Sequence, residues 1–133
     1  MRQLPYGLSI DLKLPLDAAI AATKEALKGE GFGILTEIDV RKTLKEKIGA
    51  DFQPYVILGA CNPSLAYTGL KEDIEMGLLL PCNVTVRQED DGSTVVTALD
   101  PLVMSRLSGV PAIDDVSRLA REKMERVLDQ LAG

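Results

Sequence analysis

The sequence predicts an α+β protein in which one mainly antiparallel sheet of five strands carries helices on one face. Three observations support this prediction. Several short segments alternate polar and apolar residues, which is typical of strands with one buried face. The dipeptide Asp91-Gly92 separates two of these segments, as in a β-hairpin. Two longer segments, one early and one at the end of the chain, repeat apolar residues at helical spacing.

The first part of the chain predicts two strands, each followed by a helix. Residues 6–14 alternate as a strand does, and residues 16–27 then form a helix that stops at the glycines of 29–31. Residues 32–38 are the second strand. Asp39 is a favourable N-cap for a short helix through residue 48. The apolar stripe predicted for that helix is Val40, Leu44 and Ile48.

The middle of the chain predicts the central strand and a capped helix. Residues 55–61 are apolar on both faces, as in a strand that is covered on both sides. Asn62 is the predicted N-cap of the next helix, and Pro63 suits its first turn because that position needs no backbone donor. Gly59 is expected to allow a close approach of the backbone. The buried stripe predicted for this third helix is Ala66, Leu70, Ile74 and Leu78.

The last part of the chain predicts a hairpin and a long terminal helix. Residues 83–89 and 94–99 are the two hairpin strands. Residues 102–111 are apolar but irregular. The terminal helix has the stripe Ile113, Val116, Ala120, Met124, Val127 and Leu131.

These elements follow one another as β-α-β-α-β-α-β-β-α. Residues 1–133 are expected to form a single domain, in which the first and last helices, the two longest, cover one face of the sheet. A parallel doubly-wound sheet is the alternative. It is disfavoured because the first and fourth strands lack the continuous apolar runs of a sheet that is buried on both faces.

Composition excludes several classes of function. The net charge of −5 and pI near 4.7 argue against nucleic acid as a partner. Without histidine, Ser-His-Asp catalysis, Cys-His catalysis and histidine metal sites are ruled out. No apolar run approaches the roughly 20 residues of a membrane span, and the N-terminus lacks the apolar core of a signal peptide. The expected location is the cytoplasm, where the two cysteines stay reduced.

Two Cys-Asn dipeptides form the candidate site. They contain both cysteines and both asparagines of the chain. If the third and fourth strands are antiparallel neighbours, the two dipeptides lie at one end of the sheet. A parallel arrangement would separate them. The predicted ligand-binding or thiol site consists of Cys61, Asn62, Ser64, Cys82 and Asn83.

The chemistry open to this site follows from its residue types. Cys61 stands next to a helix N-terminus, which favours the thiolate and lowers the pKa of a thiol. Ser64 could help the free backbone donors of the same helix to bind an anion. No metal ligands are assigned, because zinc would need carboxylates or a second subunit in addition to two thiolates. Equally, both cysteines could be small buried hydrophobic residues, with Asn62 acting only as a helix cap.

The segments GFGILTEIDV, GACNPSLAY and LLLPCNVTV, together with the helix after Ile113, resemble family three-hundred-and-two of the domains of unknown function. The resemblance spans nearly the whole chain, and the two Cys-Asn segments are its most specific features. It implies an α+β fold with a curved antiparallel sheet, similar to the fold type first seen in the TATA-binding protein. It implies no established activity, and the cofactor is unknown.

Three functions are compatible with these features. The first is a homo-oligomeric module that binds a small ligand or a metal at the Cys-Asn steps. The second is a thiol-dependent redox or sulfur-handling protein, and the third is a protein-interaction module. Whether the protein is an enzyme stays open. A homodimer is expected because the central strand is apolar on both faces and residues 102–111 are rich in Leu, Val and Met.

Overall fold

Six strands form one sheet, in which every neighbouring pair runs antiparallel. The computed structural model describes all residues 1–133. In chain order the strands are β1 (Arg2–Gln3), β2 (Gly7–Leu12), β3 (Gly33–Asp39), β4 (Tyr55–Cys61), β5 (Cys82–Gln88) and β6 (Thr94–Leu99). Their order across the sheet is β1-β2-β6-β5-β4-β3. The antiparallel prediction is therefore confirmed, and the parallel alternative is wrong.

The chain also forms five α-helices and one 3₁₀ helix, and the last two α-helices follow the final strand. The helices are α1 (Leu16–Gly29), α2 (Val40–Ile48), α3 (Pro63–Glu72), the 3₁₀ helix (Ile74–Leu79), α4 (Leu102–Ser108) and α5 (Ile113–Ala132). The longest two, α1 and α5, pack against each other and against strands of the sheet. None of the helices combines the length and the apolar composition that a membrane span requires.

The strand register places a continuous apolar row under the helices. Leu8, Ala98, Val84 and Leu58 are cross-strand partners on β2, β6, β5 and β4, and each is at most 1% exposed. Successive side chains of a strand point to opposite faces, so the residues between them lie on the other face. We call this second face the open face. Its residues include Ser9, Thr85, Arg87 and Thr97.

The hairpin and both predicted side-chain caps are confirmed. Strands β5 and β6 pair antiparallel across the turn at Asp91-Gly92, where Gly92 adopts a positive φ of 86°. The Asp39 carboxylate accepts a hydrogen bond of 3.0 Å from the backbone N–H of Lys42 and so caps α2. Local turn and cap chemistry therefore fixes these boundaries.

The expected count of five strands is wrong because β1 is an additional strand. It has only two residues, which pair with Ser9 and Leu8 of β2. So short a segment cannot show an alternating pattern in the sequence. The similarity to the fold type of the TATA-binding protein stays a prediction.

The third helix is shorter than predicted. Helix α3 ends at Glu72, and the Asp73 carboxylate then accepts a hydrogen bond from the N–H of Glu75 to start the 3₁₀ helix. This change of helix type changes the period of the side chains. Ile74 and Leu78, predicted to be buried, are 77% and 82% exposed, while Met76 is buried instead.

Residues 102–111 are more regular than predicted. Seven of them form helix α4, in which Met104 is buried and Leu107 is exposed. Asp100 accepts a hydrogen bond from the N–H of Leu102 at its start, and Gly109 ends it with a φ of 69°. The αL glycine at the end of this short helix is the local signal that marks it.

Helix α2 forms as predicted, but its apolar stripe is not buried. None of its residues is buried, and Ile48 is 73% exposed. The helix packs mainly against the edge strand β3 and its neighbour β4. It therefore lies at the edge of the sheet, where little protein surface is available to cover it.

Candidate functional site

The two Cys-Asn steps lie at the same end of neighbouring strands, as predicted. Strands β4 and β5 pair antiparallel, with Ala60 opposite Cys82 and Gly59 opposite Asn83. From this register the Cα atoms of Cys61 and Cys82 are roughly 6 Å apart. Neither cysteine takes part in a disulfide. The sheet therefore brings both steps together.

The sheet also divides the predicted site between its two faces. Cys82 is 5% exposed and belongs to the hydrophobic core, whereas its neighbour Asn83 is exposed. Cys61 is half-buried at the end of β4. Cys82 and Asn83, which are consecutive residues of β5, thus lie on opposite faces of the sheet. The five predicted site residues therefore do not form one pocket.

Asn62 has a structural role. Its Oδ1 accepts a hydrogen bond of 3.3 Å from the N–H of Leu65, which confirms the predicted cap of α3. Its Nδ2 donates a bond of 3.4 Å to the carbonyl oxygen of Glu30, just after α1. Both the oxygen and the nitrogen of the amide are hydrogen-bonded, so this side chain links the start of α3 to the end of α1.

A small apolar cavity lies beside the two thiols, between α3, the 3₁₀ helix, α4, α5 and the sheet. We call it the sulfur-lined cavity, because Cys61, Cys82, Met76 and Met104 all line it. Its volume is about 30 Å³, which exceeds the roughly 10–15 Å³ that one water molecule needs. The remaining lining is mostly apolar and includes Leu65, Leu80 and Val116.

The thiol of Cys82 is neutral at physiological pH. Burial raises its pKa from 9.0 to about 11, and the nearby Cys61 contributes in the same direction. An apolar surrounding disfavours the charged thiolate. Cys82 is therefore a poor nucleophile in the folded protein.

Ser64 lies neither in the sulfur-lined cavity nor on the open face of the sheet. It lines a shallow pocket of the surface together with Asn62, Glu30 and Lys123. Its carbonyl oxygen accepts a hydrogen bond from the hydroxyl of Thr68 within α3. The structure therefore does not bring Ser64 together with the cysteines or with Asn83.

Asn83 belongs to a groove on the open face of the sheet, which we call the open-face groove. It has a volume of about 520 Å³ and is lined by residues that include Tyr6, Tyr55, Asn83, Arg87 and Leu99. This volume falls within the range of small-molecule sites in proteins. No helix contributes to its lining.

Arg87 is the charged residue of the open-face groove. It is the cross-strand partner of Tyr55 and has a side chain that is 29% exposed. Its Nε donates a hydrogen bond of 2.6 Å to Oε1 of Glu89, which orients the guanidinium. That bond leaves the two terminal nitrogens of Arg87 for a ligand.

The floor of the groove includes the hydroxyl groups of Thr85 and Thr97, and the buried Ser9 lies beside it. Oγ atoms of Ser9 and Thr97 lie 2.8 Å apart, and the Thr85 hydroxyl donates a bond of 3.4 Å to the Thr97 carbonyl oxygen. The three residues are cross-strand partners on β2, β6 and β5. The floor is therefore polar and internally hydrogen-bonded.

Arg87 and Tyr55 were not among the predicted site residues. The alternation of β5 does put Arg87 opposite Val84 and Val86, so a signal for its placement exists in the sequence. Met76 and Met104 carried no such signal, because their burial depends on the 3₁₀ helix and on α4. No group of three or more histidine, cysteine, aspartate or glutamate side chains is arranged to hold a metal ion.

A buried carboxylate, which the sequence did not single out, joins the N-terminus to α4 and α5. The side chain of Asp100 is fully buried. Its Oδ2 accepts bonds of 2.7 Å from Nη1 of Arg121 and 3.1 Å from Nε2 of Gln3, and its Oδ1 accepts from the N–H of Leu102. A buried charge with so many partners is compensated, and we assign it a structural role.

The protein is thus an α+β protein with one antiparallel sheet. Helices cover the apolar face of the sheet, with the sulfur-lined cavity beneath them, and the open-face groove lies on the other face. The family model for the domain of unknown function DUF302 matches residues 8–131. The chain therefore belongs to the DUF302 family, and the resemblance seen in the Cys-Asn segments is confirmed.

A solved structure agrees with this assignment. The chain is similar to an uncharacterised conserved DUF302 protein from Bacillus stearothermophilus, whose crystal structure is known. The two are 32% identical, with a TM-score of 0.88, over 96% of this chain and 99% of that chain. No curated protein matches the chain.

Proposed function

We propose that this DUF302 protein is a small-ligand-binding module and that its ligand is an organic carboxylate bound in the open-face groove. The observation that carries the proposal is Arg87, whose terminal nitrogens are left free in a groove of about 520 Å³. A guanidinium binds a carboxylate through two parallel hydrogen bonds. Of the predicted site residues, the proposed site retains Asn83 and excludes both cysteines.

The walls of the groove suit a ligand with an apolar or aromatic part. Tyr6 and Tyr55 line it together with the aliphatic side chains of Leu4 and Leu99. Tyrosine offers a large apolar surface and a hydroxyl at its edge. An arylalkyl carboxylate would place its charge at Arg87 and its ring against these side chains.

The proposed setting is the cytoplasm, where free thiols stay reduced. A thiol-dependent function finds less support, since burial keeps the Cys82 thiol protonated. A second candidate function is protein interaction. It is favoured by one observation: Ile74, Leu78 and Leu107, on the 3₁₀ helix and α4, are 77%, 82% and 67% exposed. Large exposed apolar side chains of this kind often mark interfaces.

The ligand proposal is tested with phenylacetate and its uncharged amide, phenylacetamide. Backbone amide shifts in NMR spectra are followed during titration of the labelled protein with each compound. We expect phenylacetate to shift signals of Tyr55, Asn83 and Arg87. Phenylacetamide should bind at least about tenfold more weakly, because it lacks the charge that the guanidinium recognises.

Matched variants decide whether Arg87 is responsible. Arg87→Gln should abolish the preference for phenylacetate over the amide. Arg118→Gln removes the same charge from the surface of α5, where Arg118 makes only exposed ion pairs, and should leave binding unchanged. Equal losses in both variants, or shifts that bypass the groove, would overturn the proposal. So would the absence of any shift at millimolar phenylacetate.

A further inference from the structure

The turn between β1 and β2 lines the open-face groove with each of its residues, 4–7, and we call it the rim turn. Every carbonyl oxygen of the rim turn accepts a hydrogen bond from a residue outside it. The donors are Gln3 Nε2 for Leu4 (2.9 Å) and for Gly7 (3.3 Å), Arg106 Nη1 for Pro5 (3.2 Å) and the N–H of Asp100 for Tyr6 (2.9 Å). The rim turn is therefore held through its backbone, which leaves its side chains to line the groove.

The three residues that hold the rim turn meet at the buried carboxylate of Asp100. Its Oδ2 accepts a bond of 3.1 Å from Nε2 of Gln3 and lies 3.5 Å from Nη2 of Arg106. Arg121 of α5 joins them, because it donates to the same oxygen at 2.7 Å and to Oε1 of Gln3 at 2.8 Å. We call these four residues the Asp100 cluster. None of them lines the groove.

We propose that Asp100 and Gln3 are positioning residues of the open-face groove, which act by fixing the rim turn in the conformation that binds the ligand. This inference rests on the function proposed for the groove. Tyr6 is 71% exposed, so packing of its side chain does little to fix the turn. A rim that is already ordered spares the ligand the entropic cost of ordering it.

Stability alone is a weak explanation for the Asp100 cluster. Apolar residues of similar volume can replace a buried ion pair at little cost, and often with a gain in stability. The cluster instead directs its donors to consecutive carbonyl oxygens of one short turn. Such an arrangement specifies a backbone conformation, and the residues so placed are those that line the groove.

The test is the phenylacetate titration, repeated with Asp100→Asn and with Gln3→Met. Asparagine keeps the shape of the side chain but presents an amide nitrogen to the donors of Gln3 and Arg121. Asp100→Asn should weaken phenylacetate binding about tenfold and Gln3→Met about threefold, because the ligand must then order the rim turn itself. In a Tyr6→Ala background neither substitution should weaken binding further, since the side chain that they position is gone.

Hydrogen exchange gives a second measurement, which needs no ligand. The N–H of Leu4 donates a bond of 2.7 Å to the carbonyl oxygen of Gly7 and should exchange at least about tenfold faster in both variants. Thr94→Val is the matched control. It removes a buried hydroxyl that donates a bond of 2.6 Å to the carbonyl oxygen of Leu14, outside the groove. It should change neither phenylacetate affinity nor the exchange of the Leu4 amide.

Circular dichroism checks that each variant is folded, and Gln3→Met decides alone if Asp100→Asn does not fold. Wild-type affinity in the folded variants would overturn the positioning role and leave the function proposed for the groove standing. Equal losses with and without the Tyr6 side chain would also overturn it, because the cluster would then act elsewhere. If the wild type binds no phenylacetate, the proposed function fails and this inference fails with it.

Discussion

The hydroxyl of Thr36 on β3 fills the space that a Cβ atom on Gly59 of β4 would occupy. Thr36 and Gly59 are cross-strand partners at the open face, next to a bulge of β3. The Cγ of Pro81 approaches the same space from the other side, at 2.9 Å from the ideal Cβ position. The close approach predicted for Gly59 is thereby confirmed.

Gly59→Ala should therefore lower the free energy of unfolding by about 1–3 kcal/mol, because the added methyl overpacks the site. Urea unfolding measures the loss. In the Thr36→Ala background the same substitution should cost less, since the hydroxyl is gone. Gly29→Ala is the control, as nothing lies within 4 Å of its Cβ position. Equal costs of Gly59→Ala in both backgrounds would show that Thr36 is not the obstacle.

Asn62→Ala should lower the free energy of unfolding by about 1 kcal/mol through loss of the α3 cap. Asn62→Asp keeps an oxygen for the N–H of Leu65 and loses only the donor to Glu30. It should therefore cost less than Asn62→Ala. Thermal or urea unfolding of both variants checks the order. If aspartate costs as much as alanine, the link to α1 outweighs the cap.

Cys82 should make stability fall at alkaline pH. Its pKa is raised on folding from 9.0 to about 11, so the folded state binds this proton more tightly than the unfolded state. The contribution is fully present below pH 9.0 and is lost as the pH rises to about 11. The loss over this window is roughly 2 kcal/mol.

Urea unfolding across that pH window measures the effect. Cys82→Ala removes the titrating thiol and should flatten the pH dependence by the same amount, whatever it costs at neutral pH. Native-state alkylation provides a second measurement, in which Cys61 should react and Cys82 should stay protected until unfolding. Identical pH slopes for the wild type and Cys82→Ala would contradict the assignment.

We expect the protein to form a homodimer through β3. This strand is at the edge of the sheet, and its Leu35 and Ile38 are 65% and 45% exposed. It carries no lysine or proline, which edge strands commonly use to prevent pairing. Antiparallel pairing with the β3 strand of a second copy would satisfy the free backbone groups and give a two-fold dimer.

Sedimentation at micromolar concentration tests the dimer. Leu35→Lys should shift the protein to the 14.4 kDa monomer. Leu107→Lys, at the equally exposed position on α4, should leave the dimer intact. The opposite pattern would move the interface to residues 102–111, and a wild type that sediments only as a monomer would count against any dimer.

Much of the fold could be predicted because its determinants are local. Alternation in residues 83–89, the turn at Asp91-Gly92 and the caps Asp39 and Asn62 each depend on a few neighbouring residues. Where the expectation failed, a longer-range effect decided. Ile74 continued a helical pattern in the sequence, but Asp73 changed the helix type. Met76 was buried as a result.

The candidate site was predicted in position and not in composition. Antiparallel pairing of β4 and β5 was expected because the half-polar strands and the hairpin indicate a mainly antiparallel sheet. This pairing places Cys61 near Cys82. The sequence pattern does not show that a cavity forms against α4, because Met104 lies in a segment without clear periodicity. Likewise, Tyr55 and Arg87 share the open-face groove with Leu4, Pro5 and Tyr6, which are far from them in the sequence.

The strand order has a consequence for how the chain folds during synthesis. Strands β3, β4, β5 and β6 can pair in sequence as they emerge, each with its predecessor. Strand β2 is different, because Leu8 pairs with Ala98 on β6. Its apolar side chains must wait for a partner until most of the chain has left the ribosome, and closing so long a loop slows folding. During synthesis, β2 would thus stay accessible to chaperones for longer than any other long strand of the sheet.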